Sequence, residues 1–98
     1  MELGKNAADN RALFRKASQK DWWFHLDNQP SGHVFLKSPD ELTKEQVIEA
    51  ATLVKSTSKA KKSNKVKVVY CRKSNLKLGT SVGEVIIKSH KKCKYIFV

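Results

Sequence analysis

The stretch Asp21-Trp22-Trp23-Phe24-His25-Leu26-Asp27-Asn28-Gln29-Pro30-Ser31-Gly32-His33-Val34-Phe35-Leu36-Lys37 decides the fold of this chain. Residues 21–27 are rich in aromatic strand formers and follow a period of two. Trp22, Phe24 and Leu26 point one way; Trp23, His25 and Asp27 point the other. Asn28–Gly32 reads as a turn, with proline to fix φ and glycine to permit a positive φ. His33–Lys37 resumes the alternation, with Val34 and Leu36 on one face and His33, Phe35 and Lys37 on the other. The segment therefore predicts a β-hairpin with one core side. Its second side carries Trp23, His25, His33 and Phe35, where a solvent-facing strand would carry Thr, Lys or Glu. Two readings of that side stay open. Exposed rings can stack unpaired bases, or a helix covers them and they are core.

Working outward, Asn6 followed by Asp9 marks a helix start. Ala7–Ser18 then places Leu13, Phe14 and Ala17 on one side, a candidate cover for the hairpin. Downstream, Thr43 and Gln46 form a T-x-x-Q capping box, with Leu42 and Val47 at the positions of a hydrophobic staple. Val47, Ala50, Ala51 and Val54 repeat at helical spacing, which predicts a helix over 44–57 packing one apolar stripe on a sheet. Ser56–Lys65 is a solvated loop or frayed helix end. Val66–Cys71 alternates as a strand, and Lys73–Gly83 is a connection punctuated by Gly79 and Gly83. Glu84–Lys88 and Lys94–Val98 read as two strands of a second hairpin around residues 89–92. The sum is a single domain over 1–98 of the α+β class, a mostly antiparallel sheet of about five strands with two helices.

Charge narrows the function. The chain has 98 residues and a formal net charge of +11. Residues 1–54 hold 7 Lys/Arg and 8 Asp/Glu, whereas residues 55–98 hold 13 Lys/Arg and one acid, Glu84. An excess confined to one half makes a one-sided positive field, which attracts polyanions. The lysines do not line an amphipathic helix of the kind that anchors at a bilayer surface. No apolar run approaches the roughly 18 residues of a membrane span. MELGKNAADN lacks the pattern of a secretory signal. Cys71 and Cys93 make no disulfide framework and read as two buried, reduced thiols, consistent with a cytoplasmic or nuclear address.

Catalytic patterns are weak. His25 and His33 approach each other across the hairpin, but a zinc site needs three or four ligands with closer cysteine spacing. No phosphate-binding glycine loop occurs, and the acids fit turns and caps better than an acid–base pair. The expectation is a binding module, not an enzyme, with no cofactor and no metal. Its candidate nucleic-acid contacts are Trp23, His25 and His33 on the hairpin. To these the basic half adds Lys59, Lys61, Lys62 and Lys65, with Ser58, Ser63 and Asn64 as hydrogen-bonding company, and then Lys67, Arg72, Lys73 and Lys77.

Taken together, Asp21-Trp22-Trp23-Phe24-His25 and Pro30-Ser31-Gly32-His33-Val34 resemble the D-x-W-F-H … G-S-H-V hairpin of the NFACT-R domain family. Gly4-Lys5-Asn6 with Asn10 is similar to that domain's opening G-[RK]-N … N. Val66–Tyr70 is similar to its V-x-V-x-Y strand, and Gly83-Glu84-Val85-Ile86 to its G-x-V-I strand. The resemblance runs in order along nearly the whole chain. Within the family, Ala51–Lys55, Val69-Tyr70 and Ser74–Lys77 look closest to the stand-alone eukaryotic, coiled-coil-containing type. The turn departs from the pattern, reading Ser-Gly-His where larger members have Gly-Ser-His, and residues 59–65 are richer in lysine. The resemblance implies RNA binding, to tRNA or ribosomal RNA, in translation or ribosome-associated quality control. DNA or general polyanion binding, or docking on a ribosomal protein, stand as alternatives that charge alone does not separate.

Overall fold

The computed structural model describes residues 1–38, 40–82 and 84–98. Seven strands and two α-helices follow in the order β1 (Glu2–Gly4), α1 (Ala7–Lys16), β2 (Trp22–Leu26), β3 (His33–Leu36), α2 (Lys44–Ser56), β4 (Lys67–Arg72), β5 (Leu76–Leu78), β6 (Val85–Ile87) and β7 (Lys94–Phe97). Single 3₁₀ turns cover Lys73–Asn75 and His90–Lys92. The main sheet is antiparallel, in the order β1-β3-β2-β4-β7, and β5 pairs with β6 in a separate ribbon. The expected α+β class, antiparallel sheet and two helices are all present.

Both helices start where the sequence puts them. The Asn6 side chain accepts from Asp9 N–H at 2.9 Å. Thr43 and Gln46 close a reciprocal capping box at 3.1 and 2.8 Å. At the far end of α2, the hydroxyls of Ser56, Thr57 and Ser58 donate back to the carbonyls of Leu53, Val54 and Lys55. These bonds satisfy carbonyls that the helix leaves without partners.

The hairpin splits the core into two layers. On one face Trp22, Phe24, Leu26, Val34, Leu36 and Val68 pack against the α2 stripe Val47, Ala50, Ala51 and Val54. On the other, Trp23, Phe35, Val69 and Cys71 pack with Phe14 and Ala17 of α1 and with Leu76. The covered reading of the hairpin's second side therefore holds, and its exposed-aromatic reading is corrected. Trp23 is 3 % and Phe35 5 % exposed. The reason is that α1 lies over the β1–β3 side of that face, while Leu78, Val85 and Ile87 of the β5–β6 ribbon pack on the same cluster.

Pairing of the last strands also departs from the sequence expectation. β6 and β7 form no hairpin: β6 pairs with β5, and β7 crosses to β4 in the main sheet. The turn 89–92 is the 3₁₀ segment between the two sheets. The punctuating role expected of Gly83 lies outside the described residues. In the first turn the positive φ belongs to Asn28, at 59°. Gly32 serves another purpose, since a Cβ there would stand 2.8 Å from the Gly4 carbonyl oxygen and 3.0 Å from Thr57 Oγ1. Close approach to the β1 backbone and to the Thr57 side chain, not a left-handed turn, demands that glycine.

Candidate nucleic-acid interface

Register places the polar residues of the hairpin at one end of the sheet. Gly4 pairs with His33, and His25 pairs with Val69. At that end Gly32 N–H donates to Thr57 Oγ1 at 2.8 Å, tying the hairpin turn to the end of α2. The loop that follows returns at Val66, which exchanges hydrogen bonds of 2.8 and 3.0 Å with Val98. Lys59, Lys61, Lys62 and Lys65, all exposed, are consequently carried beside the hairpin turn. A surface cleft of about 420 Å³ lies between Lys5, the segment Gln29–Gly32, and Thr57, Ser58 and Lys59. None of these lysines takes part in an ion pair among the described residues.

The opposite end of the sheet differs in charge balance. There Lys16 pairs with Glu2, Lys37 with Asp21 and Lys94 with Glu41. Part of the basic half thus gathers at the 28–32 and 57–65 end, whereas Arg72, Lys77 and Lys94 lie elsewhere.

A second cleft, of about 350 Å³, opens between the hairpin and the 3₁₀ turn at 90–92. It is lined by Trp23, His25, Asn28, His33, Val85 and His90 and by the acidic residues Asp27 and Glu84, among others. Trp23 Nε1–H donates to His33 Nδ1 at 3.1 Å, and His25 Nδ1 lies 2.6 Å from the Leu26 carbonyl oxygen. A carbonyl only accepts, so His25 carries its proton on Nδ1 and presents an acceptor at Nε2. His33 Nδ1 accepts from indole, so its proton sits on Nε2, as a donor. The two rings meet edge to face with centroids 4.7 Å apart. Burial pushes the His33 imidazole down to about 4, with a contribution from the neighbouring His25 ring. Burial also lowers His25, against the opposing pull of the Leu26 carbonyl and Asp27. Both rings are therefore neutral near pH 7, a polar pair offering one acceptor and one donor. Strengthened phosphate binding by imidazole protonation near pH 6.5 does not fit these environments.

The remaining candidates scatter. Trp23 is core and is not available for base stacking. Lys73 is buried, with Nζ donating to the Ala17 carbonyl at 2.7 Å over the Phe14 ring. Arg72 lies at the far end, its guanidinium 4.3 Å from the Trp22 ring centre and donating to the Lys20 carbonyl at 2.7 Å. Both cations brace the fold, Lys73 from a buried position and Arg72 from a half-buried one. Ser58 is buried too, donating to Lys55 O and accepting from Ala60 N–H, so it has little left for a phosphate. Lys77 is exposed but lies on the outer ribbon opposite Ile86. Lys67 belongs to the basic end, where it pairs with Asp27 at 3.7 Å and covers Tyr95 at 4.5 Å. Cys71 and Cys93 are both free thiols, the first buried and the second half-buried. Burial drives the Cys71 thiol up to about 12, the reverse of an activated nucleophile. Among the described residues no group of three or more His, Cys, Asp or Glu is arranged to hold a metal ion. No helix among them is long and apolar enough to cross a membrane.

The chain as a whole matches a known family. Residues 2–89 fit the model described as NFACT protein RNA binding domain. The chain belongs to that family. It is 33 % identical over 104 residues to coiled-coil domain-containing protein 25 of Danio rerio, covering 98 % of this chain and 50 % of that protein. It is 40 % identical over 78 residues to the Rqc2 homolog RqcH of Bacillus subtilis, covering 76 % of this chain and 13 % of the relative. Its fold matches the C-terminal part of the fibronectin/fibrinogen-binding protein from Streptococcus suis with a TM-score of 0.85 at 31 % identity, covering 98 % of this chain and 39 % of that one. The chain thus spans about half the length of the first of these NFACT-type relatives. The NFACT motifs acquire physical reasons in the structure. A Cβ on Gly4 would stand against the buried Asn10 side chain, which explains the opening G…N pair. The W-F-H … H-V hairpin supplies the indole–imidazole bond.

Proposed function

We propose that this domain binds RNA through the end of the sheet formed by the hairpin turn, the 57–65 loop and the histidine cleft. The observation that carries the reading is the set Lys5, Lys59, Lys61, Lys62 and Lys65, exposed at one end and without acidic partners among the described residues. Lysines held this way act as point charges on phosphates, and they position a strand without reading its sequence. The His25–His33 pair lies beside them and adds a directional element, because a base edge also offers donors and acceptors side by side. Family membership supports RNA over DNA, and the likeness to NFACT relatives supports tRNA or ribosomal RNA in a translation or ribosome quality-control setting in the cytoplasm. The buried Cys71 and the depressed histidines support binding rather than catalysis.

The test is ultraviolet crosslinking to a mixed pool of tRNA, ribosomal RNA fragments and duplex DNA, followed by mapping of the linked peptides. Crosslinks to folded RNA falling on residues 28–33 and 57–67 are expected. Crosslinks to all three nucleic acids in proportion to length would favour general polyanion binding. Crosslinks on the Arg72–Lys94 end would refute this site.

A further inference from the structure

Edge strand β7 presents two aromatic rings that the cleft and the lysine loop do not use. Tyr95 is 39 % and Phe97 57 % exposed, and both stand on the same face of the strand. Register makes this face continuous with the histidine cleft: His25, Val69 and Tyr95 form one row across β2, β4 and β7. The next row holds Lys67 opposite Phe97. Neither α1 nor the β5–β6 ribbon covers these two rings, in contrast to Trp23. The strand has a neighbour on one side only, being last in the sheet order. Both rings also fall beyond the residues 2–89 that the family model matches.

We propose that Tyr95 and Phe97 are a stacking platform for two unpaired bases of a single-stranded RNA segment; this deepens the RNA-binding reading and rests on it. Three observations converge on that occupant. First, the charge around the rings is positive. Lys67 Nζ sits 4.5 Å from the Tyr95 ring centre, Lys65 is exposed on the same approach, and the nearby carboxylate, Asp27, is already engaged by Lys67. A phosphate backbone drawn to these lysines brings its bases over the rings. Second, the spacing selects an unstacked strand. Rings two residues apart on a strand lie about 6.8 Å apart. That is twice the roughly 3.4 Å rise per nucleotide of a stacked helix, so a duplex cannot seat neighbouring bases on both rings. Third, the row of His25, Val69 and Tyr95 leads from the donor–acceptor pair to the first ring. One segment can thus be stacked at β7 while its next base edge reaches the cleft.

The experiment compares the full chain with Tyr95→Leu, Phe97→Leu and the double variant, and with the ring-retaining Tyr95→Phe and Phe97→Trp. Affinities are measured at fixed salt for a single-stranded RNA decamer and for a duplex of the same length. Thermal melts confirm that each variant folds. Stacking one base is strong enough that each Leu variant should lose at least about fivefold in single-strand affinity. Duplex binding should change little, and both ring-retaining variants should bind like the parent chain. Unchanged single-strand affinity in a folded double Leu variant overturns the platform while leaving RNA binding by the lysine end intact. Equal losses for single strand and duplex also overturn it, since that pattern reports general surface disruption. Concentration-dependent dimerisation abolished by the Leu variants would assign the rings to a second copy of the chain. Absence of any RNA binding by the parent chain removes both this inference and the reading on which it rests.

Discussion

Replacing Lys59, Lys61, Lys62 and Lys65 together with Ser tests the placement of the interface directly. The structure puts five exposed lysines without acidic partners among the described residues at the proposed end, these four and Lys5. Each phosphate neutralised on a single strand contributes about −0.7 to the slope of log affinity against log salt. Five contacts therefore give a slope of roughly −3.5, and the quadruple variant, with Lys5 alone, roughly −0.7. Between 50 and 200 mM salt the parent chain should weaken on the order of 100-fold and the variant only about threefold. The control removes the same number of charges elsewhere, as Lys16, Lys20, Lys37 and Lys94 to Ser. Three of those lysines are already paired with Glu2, Asp21 and Glu41. Their loss alters net charge equally but should leave the slope near that of the parent chain. Fluorescence anisotropy with a labelled oligonucleotide, titrated at five salt concentrations, reads both slopes. Matching slopes in the two quadruple variants would mean that diffuse charge, and no localised end, drives binding, and the reasoning would fail.

Three further outcomes follow from the packing. Trp23→Ala removes a fully covered ring from the second core layer and should cost about 3–5 kcal/mol of stability in urea unfolding, with affinity per folded molecule unchanged; weakened binding at full stability would return Trp23 to the site. His33 is neutral in the fold and titrates near 4, whereas in the unfolded chain it titrates near 6.5. The unfolded state thus binds the extra proton first as pH falls, so stability is complete above about pH 6.5 and declines by roughly 3 kcal/mol towards pH 4. His33→Gln, which keeps an acceptor for the Trp23 indole, should flatten that decline, and superimposable pH–stability curves would contradict the buried neutral ring. Thr43→Ala deletes the α2 capping box and should lower stability by about 1 kcal/mol; no change in melting would show that the cap bonds are replaced by water.

Legibility in the sequence followed the range of the signal. The first hairpin, both helix starts and the α2 stripe rest on patterns within a few residues of one another, and the structure contains all of them. The pairing of β6 with β5 was not legible, because Leu76–Leu78 is too short to show a period and strands adjacent in sequence normally pair. β1 was missed for the same reason. For the site, sequence identified the lysine loop by composition and the histidine pair by alternation, but not which face of the hairpin was covered. Lys73 and Arg72 looked like phosphate contacts because a cation's partner carbonyl carries no sequence mark. Tyr95 and Phe97 were readable as strand residues only. Lys94–Val98 is almost wholly apolar after its first residue, so it reads as a buried strand, and only the register with Lys67 and Val69 reveals that one side is open.

The displacement of the candidate site from the sheet face to its end and edge has a physical cause. An antiparallel sheet in a domain of this size can expose one face to water, which would have made the Trp23 side a stacking surface. Here α1 and the β5–β6 ribbon both close on that side, because Trp23, Phe35, Val69 and Cys71 form a second apolar layer that is stabilising only when covered. Coverage stops where the apolar residues stop. Past Trp23 and Phe35 the same face continues as His25 and His33, whose hydrogen bonds to backbone and indole let them sit at the boundary without charge. Beyond Val69 it continues as Tyr95, outside the reach of the ribbon. On the proposed reading, the residues that meet RNA are those that lie where the second layer gives out: polar at the hairpin end, aromatic at the β7 edge, with Lys67 between them. This division also separates roles. On that reading the exposed charge of the lysine loop attracts any phosphate strand, while the neutral rings impose geometry on what it attracts, and a domain with both would bind quickly and still prefer unpaired RNA.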